Sequence, residues 1–237
     1  MSLVLTEEID RSDELVRTDL RALVEAYAAR LPVRRVAVVG NAPLTPDPAR
    51  AATIDSCDLV IRCNSFVLDQ GDEAFCGRVT HVVVLNNGTR ITPSVFAGYS
   101  SRLYFRSAPG AVYRRKPSVP MPAVDLWPED LGAISVPNRA VVGPLRERIA
   151  SAAPEDAEEF VVPTTGMIAC WLAYQLFPEA GLLLTGFSSV TVGAQTQWHH
   201  HGRADGGPVP VSTAHKIDAE GVVLREWIAE GRAEHLS

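Results

Sequence analysis

The sequence predicts an α/β protein with a mostly parallel, Rossmann-like sheet flanked by helices. Short strands rich in β-branched residues alternate with helical patterns along the chain. The strands read as continuous apolar runs without alternation, as strands buried on both faces do. The 237 residues, 46% hydrophobic and 21% charged, suffice for one large domain and are too apolar for a disordered chain. A single domain over 1–237 is therefore expected, with an N-terminal helix inside 1–32 and a core over 36–230.

Residues 12–30 place Leu15, Val16, Leu20, Leu23, Val24 and Ala26 at helical spacings, and Pro32 closes that helix. VRRVAVVGN follows as the first strand, closing on Gly40-Asn41. APLTPDPAR is Pro-rich and reads as a loop. Strands are expected at Asp58–Arg62, Val79–Leu85 and Arg102–Arg106, with a weaker one at Asn138–Val142. The stretch 107–137, rich in Pro, Arg and Lys, is a long connection; a lid over a site and an ordered surface loop both fit it. Met167–Phe177 reads as a helix, Gly181–Thr185 as a late strand and Ala219–Glu230 as a final amphipathic helix. There is no internal repeat.

The formal net charge of −6 and pI near 5.5 speak against a phosphate-backbone-binding face, so nucleic acid is not an expected partner. No run reaches the ~18 apolar residues that span a bilayer. The acidic start, MSLVLTEEIDRSDEL, does not have the form of a signal peptide. A soluble, cytoplasmic protein without a membrane partner is expected. Cys57, Cys63, Cys76 and Cys170 have spacings of six, thirteen and ninety-four, matching no zinc or redox pattern; buried free thiols in a reducing compartment are the plain reading.

In an open parallel sheet, ligands bind outside the carboxyl ends of the strands. Polar residues at those ends are the first candidates: Asn41, Asn64, Asn86, Asn87 and the position of Gly186. An asparagine offers a donor and an acceptor, suited to a phosphate, a ribose or a base edge, although it also favours turns for its own sake. Gly40 is followed by NAPLTP, so the dinucleotide fingerprint is absent, as is a P-loop. No Asp-x-Asp pair is present to clamp a metal-bound sugar nucleotide.

Pro163-Thr164-Thr165-Gly166 opens a helix, where hydroxyls and orphan N–H groups favour an anion; an ordinary N-cap would look the same. Trp198 precedes three histidines at 199–201, which cannot all face one metal from a strand or helix, and no spaced carboxylate or cysteine accompanies them. His215 stands five residues before Glu220 at the start of the last helix. An imidazole titrating near neutrality is a natural general acid or base.

In this order and spacing, the blocks resemble the sialyl motifs of the family 29 glycosyltransferases, the sialyltransferases. VAVVGNAP…IDSCDLVIRCNSF…GRVTH resembles the large motif, and PTTGMIACWLAYQLF…LLLTGFSS the small motif. WHHH resembles the third motif, and HKIDAE the very small His-x4-Glu motif. The blocks run from about Val36 to Glu220.

The resemblance implies a metal-independent variant of the GT-A fold. It implies an enzyme moving a sialic-acid-like or other sugar from a CMP-activated donor to a small hydroxyl acceptor, with inversion and without a cofactor. Asn41 and Asn64 would contact the phosphate and cytidine. Thr164, Thr165 and Gly166 would hold the nucleotide, with Gly186 and Phe187 near the base. Trp198 and His200 would face the nucleotide, His200 touching the phosphate. His215 would be the general base, and Glu220 would be a supporting residue of the site.

Several positions depart from the family pattern. Ala42 replaces the serine after Gly-Asn, and His201 replaces the tyrosine of the third motif. The cysteines that link large and small motifs in the animal enzymes are missing, with Phe177 at one position. An anchor and stem like those of the animal enzymes are not expected, and the acceptor-binding segments do not map onto 88–137. The chain thus reads as a soluble bacterial relative. Two other functions use the same pocket: hydrolysis or exchange at a nucleotide glycosidic bond, and nucleotide binding without catalysis.

Overall fold

The computed structural model describes residues 13–85, 92–106, 134–135, 141–153, 161–193, 195–198, 209–211 and 214–237. Its centre is a seven-stranded sheet in the order β5-β4-β3-β2-β1-β6-β9, with every neighbouring pair parallel. The strands are β1 (Arg35–Val39), β2 (Leu59–Cys63), β3 (Val82–Leu85), β4 (Leu103–Arg106), β5 (Ile134–Ser135), β6 (Gly181–Thr185) and β9 (Ala233–His235). A small antiparallel pair, β7 (Gln197–Trp198) and β8 (Val209–Pro210), stands apart. The helices are α1 (Asp13–Glu25), α2 (Pro48–Asp55), α3 (Pro93–Phe96), α4 (Gly143–Ala152), α5 (Thr165–Leu176) and α6 (Ile217–Ala229).

Side chains alternate across the sheet, so its two faces can be separated residue by residue. Val36, Val38, Leu59, Ile61, Val82, Val84, Leu103, Phe105, Leu182 and Leu184 face the large core shared with α1, α4, α5 and α6. Ala37, Val39, Val60 and Leu183 face the opposite side, against Ile54 of α2 and Cys57. Val83, Leu85 and Tyr104 pack with Phe66 and Val95 near α3. Both faces are covered, which is why these strands are apolar at most positions. α5 is apolar around most of its circumference because it lies between the sheet and its neighbouring helices.

The boundaries differ from the sequence reading for physical reasons. α1 ends at Glu25, seven residues before Pro32, in tight turns from Tyr27 N–H to the Val24 carbonyl and Ala28 N–H to the Glu25 carbonyl. The stretch expected to be a loop at 42–50 turns helical at Pro48, where the Asp47 carboxylate accepts from the N–H groups of Ala49 and Arg50. The expected strand at Asn138–Val142 is not one in its described part: Val141 and Val142 lie in the helical turn leading into α4. All four cysteines are buried free thiols.

Arg62 is the exception inside β2, with a fully buried side chain. Its Nε donates to the Val79 carbonyl and the Thr80 hydroxyl, and its Nη2 donates to the Cys76 carbonyl. The connection after β2 is thereby folded back onto the sheet. Among the described residues, no helix is long and apolar enough to cross a membrane.

Candidate active site

All seven strands point the same way, so their carboxyl ends form one edge of the sheet. From β1 the chain steps outward through β2, β3, β4 and β5, then returns to place β6 on the other flank of β1. The strand order reverses between β1 and β6. In doubly wound sheets this switch point leaves a crevice where ligands bind.

Two glycines make the floor of that crevice. Gly40 follows β1 and Gly186 follows β6, and the ladder continues past both strands, Gly40 N–H to the Thr185 carbonyl and Ala42 N–H to the Gly186 carbonyl. A Cβ on Gly40 would collide with the Gly186 carbonyl oxygen. A Cβ on Gly186 would lie 2.5 Å from the Gly40 carbonyl oxygen, and Gly186 sits at φ +71°. Only glycine satisfies both demands. The Phe187 ring rests on this floor: its Cε1 lies 3.2 Å from a Cβ built on Gly40 and 2.9 Å from one built on Gly166. Phe187 thus brings together the turns after β1 and β6 and the start of α5.

Asn41 projects at the switch point. Its Nδ2 donates to the Cys63 carbonyl at 2.9 Å, which fixes the amide orientation and leaves the amide one oxygen and one further N–H. Asn64 stands at the end of β2, one strand further out. It is the only non-glycine residue with positive φ among those described, at 52°. Its N–H donates to the Val84 carbonyl and its carbonyl accepts from Phe66. Unusual backbone of this kind gathers at functional sites.

The start of α5 is built from two directions. Thr164 is the N-cap, its hydroxyl accepting from Met167 N–H at 3.1 Å. Glu220 of α6 accepts from Thr164 N–H on one carboxylate oxygen and from the Thr164 hydroxyl on the other, both at 2.7 Å. This is the geometry of a capping box, with the carboxylate supplied by a distant helix. Glu220 is 3% exposed, and burial pushes its carboxyl up to about 7, against the lowering effect of the two Thr164 hydrogen bonds. With the N–H groups of Thr164 and Met167 engaged, those of Thr165 and Gly166 are the ones left at this turn for an anion. Close packing of α6 makes the Glu220 bond possible: Gly221 lies against the Ser189 carbonyl, where a Cβ would collide, and Arg225 Nη1 donates to the same carbonyl at 2.8 Å.

His215 joins the same assembly. Val162 N–H donates to the Ala214 carbonyl, and His215 Nδ1 lies 2.7 Å from the Val162 carbonyl. A carbonyl only accepts, so Nδ1 is the donor in this contact. The His-x4-Glu segment is therefore fastened to Val162 and Thr164, on either side of Pro163.

The expected residues Asn41, Thr164, Thr165, Gly166, Gly186, Phe187, His215 and Glu220 thus meet around one crevice, with Asn64 beside it. The backbone of Trp198 pairs with Val209 in the β7–β8 ladder. That ladder hangs near α6 through Gln195, whose N–H donates to Asp218 at 3.3 Å and whose side chain accepts from Ser188. The Trp198 side chain, His200, His201, Asn86 and Asn87 lie outside the described residues, as does most of 107–137. Gly40, Val162 and Gly221 were not singled out from sequence; of these only Gly40, in the Gly-Asn pair ending a strand, carried a signal. Among the described residues, no group of three or more His, Cys, Asp or Glu is placed to hold a metal ion.

No family model matches the sequence, and no curated protein matches it. Solved structures do. One is a mammalian sialyltransferase, with TM-score 0.60 at 15% identity, covering 92% of this chain and 78% of that one. A second, a mammalian sialyltransferase in complex with Gal-beta-1-3GalNAc-ortho-nitrophenol, has TM-score 0.58 at 18% identity over 86% of this chain and 69% of that one. A third, a variant of the Campylobacter jejuni sialyltransferase Cst-II in complex with CMP, has TM-score 0.51 at 15% identity over 86% and 81%. The fold is that of the sialyltransferases.

Proposed function

We propose that the protein is a family 29-like glycosyltransferase that moves a sialic-acid-like sugar from a CMP-activated donor to a hydroxyl acceptor, with inversion at the anomeric carbon. The observation that carries this reading is the meeting of Asn41, the α5 start and His215 at the switch point of a sialyltransferase-like sheet. The likeness to a fold that binds CMP in Cst-II supports the donor class.

The chemistry follows from the residues. Loss of CMP gives the anomeric carbon oxocarbenium character while negative charge grows on the departing phosphate. The N–H groups of Thr165 and Gly166 and the remaining N–H of the Asn41 amide supply donors for that charge. Asn64 and Phe187 would line the nucleoside part. His200 would reach the phosphate, and Trp198 the nucleotide. As the acceptor oxygen bonds to the anomeric carbon, its proton passes to His215 Nε2, and the electron pair of the breaking C–O bond leaves with CMP. Glu220 keeps Thr164, and with it the α5 start, in place. The sequence has no Asp-x-Asp clamp, which fits charge stabilisation by protein donors without a metal.

The test is turnover. CMP-sialic acid incubated with the protein and hydroxyl acceptors should yield CMP and a glycosylated acceptor by mass spectrometry. H215A should abolish transfer while leaving CMP binding intact. CMP release at the same rate with and without any acceptor would replace transfer by hydrolysis, and unchanged turnover in H215A would remove His215 as the base.

A further inference from the structure

We propose that Arg50 is a positioning residue for the donor site, acting through the loop that follows Asn41; the inference rests on the reading of that crevice as the donor site. The segment Ala42–Pro48 contains Pro43, Pro46 and Pro48, which have no N–H to donate, so the loop cannot fasten itself by a ladder of its own. Its ends are held elsewhere: Ala42 N–H donates to the Gly186 carbonyl and Asp47 N–H to the Ala74 carbonyl. Between them, the Thr45 carbonyl is taken by Arg50 Nη2.

The same guanidinium gathers two further segments. Nε donates to the Phe75 carbonyl at 3.0 Å and Nη1 to the Ser237 main-chain oxygen at 2.6 Å. Its side chain is 2% exposed, and the Asp47 carboxylate lies 3.9 Å from Nη1. A buried guanidinium shared among main-chain oxygens of three segments is a poor device for stability alone, since an apolar side chain of similar volume avoids the desolvation cost. What the planar fork supplies is three fixed directions at once. Those directions tie the loop after Asn41 to the 69–77 connection and to the segment after β9. Leu236 of that last segment is itself bonded to the sheet, its N–H donating to the Leu184 carbonyl and its carbonyl accepting from Thr185.

The test is CMP affinity by calorimetry, with thermal unfolding, for wild type, R50K, R50M, N41A, N41A/R50M and P46G. A lysine cannot satisfy three divergent carbonyls, so R50K and R50M should bind CMP at least 10-fold more weakly. In N41A, the added R50M should weaken binding by less than 2-fold, because the arginine acts through the loop that positions Asn41. P46G loosens the loop at the peptide whose carbonyl Arg50 holds, keeps the arginine itself and should weaken binding about 5-fold, which keeps the proposal testable should the Arg50 variants fail to fold. Wild-type affinity in R50K or P46G, or losses that simply multiply in the double variant, would overturn the positioning role. Absence of CMP binding by wild type would instead overturn the donor-site reading itself.

Discussion

Replacing Glu220 by Gln probes the join between α5 and α6. Glutamine keeps the shape and can still accept Thr164 N–H on its oxygen, while its NH2 turns toward the Thr164 hydroxyl oxygen. The change removes the titration. Burial raises the Glu220 carboxyl from its ordinary 4.5 to about 7 in the folded protein. The folded state therefore holds a proton between those values that the unfolded chain releases. Stability contributed by the protonated form is fully present below about pH 4.5 and is lost as the pH rises through 7. At ~1.4 kcal/mol per pH unit the loss from this group is about 3 kcal/mol. Urea unfolding of wild type and E220Q at pH 4.5 and 8 measures it. The stability difference should move toward the glutamine variant by about 3 kcal/mol between the two values. Groups common to both proteins cancel. A difference that stays constant within about 0.5 kcal/mol would refute the argument that burial governs this carboxyl.

Three further outcomes are expected. G186A should lose about 3 kcal/mol or more in urea unfolding, because it combines a positive φ with a Cβ 2.5 Å from the Gly40 carbonyl oxygen. G166A places a Cβ 2.9 Å from the Phe187 ring; it should weaken CMP binding, and F187A in the same chain should recover at least half of any stability lost, as read by thermal unfolding. His81 accepts the Val60 N–H on Nδ1 at 2.9 Å, and burial, with the nearby Arg102 charge, lowers its pKa below the ordinary 6.5. Its contribution to stability should decline as the pH falls below 6.5, and H81N, whose Oδ1 takes the place of Nδ1 and can still accept from Val60, should flatten that part of the urea-midpoint profile.

The central strands were legible because burial on both faces demands apolar residues at every position, as in Val36–Val39 and Val82–Leu85. The helix at Pro48 was obscured because its N-cap Asp47 lies among prolines that also mark loops. β9, read as Ala233-Glu234-His235, is a short edge strand whose mixed residues carry no periodic signal. Arg62 closes an apparent β-branched run, and nothing in the run marks it as fully buried; its partners arrive from the connection at 76–80. In the site, spacing brought Glu220 and His215 to notice but could not reveal that Thr164 takes both carboxylate oxygens. The contact between Gly40 and Gly186 follows from strand order, which a list of strands leaves open.

Thermal unfolding in CMP, CDP, CTP, UMP, AMP and GMP tests the donor class most directly. A ligand at about 100 times its Kd adds about 2.7 kcal/mol to the folded state. The account predicts a clear rise in Tm with cytidine nucleotides, lost in N41A. Stabilisation by a purine nucleotide alone, or by none of the six, would contradict it.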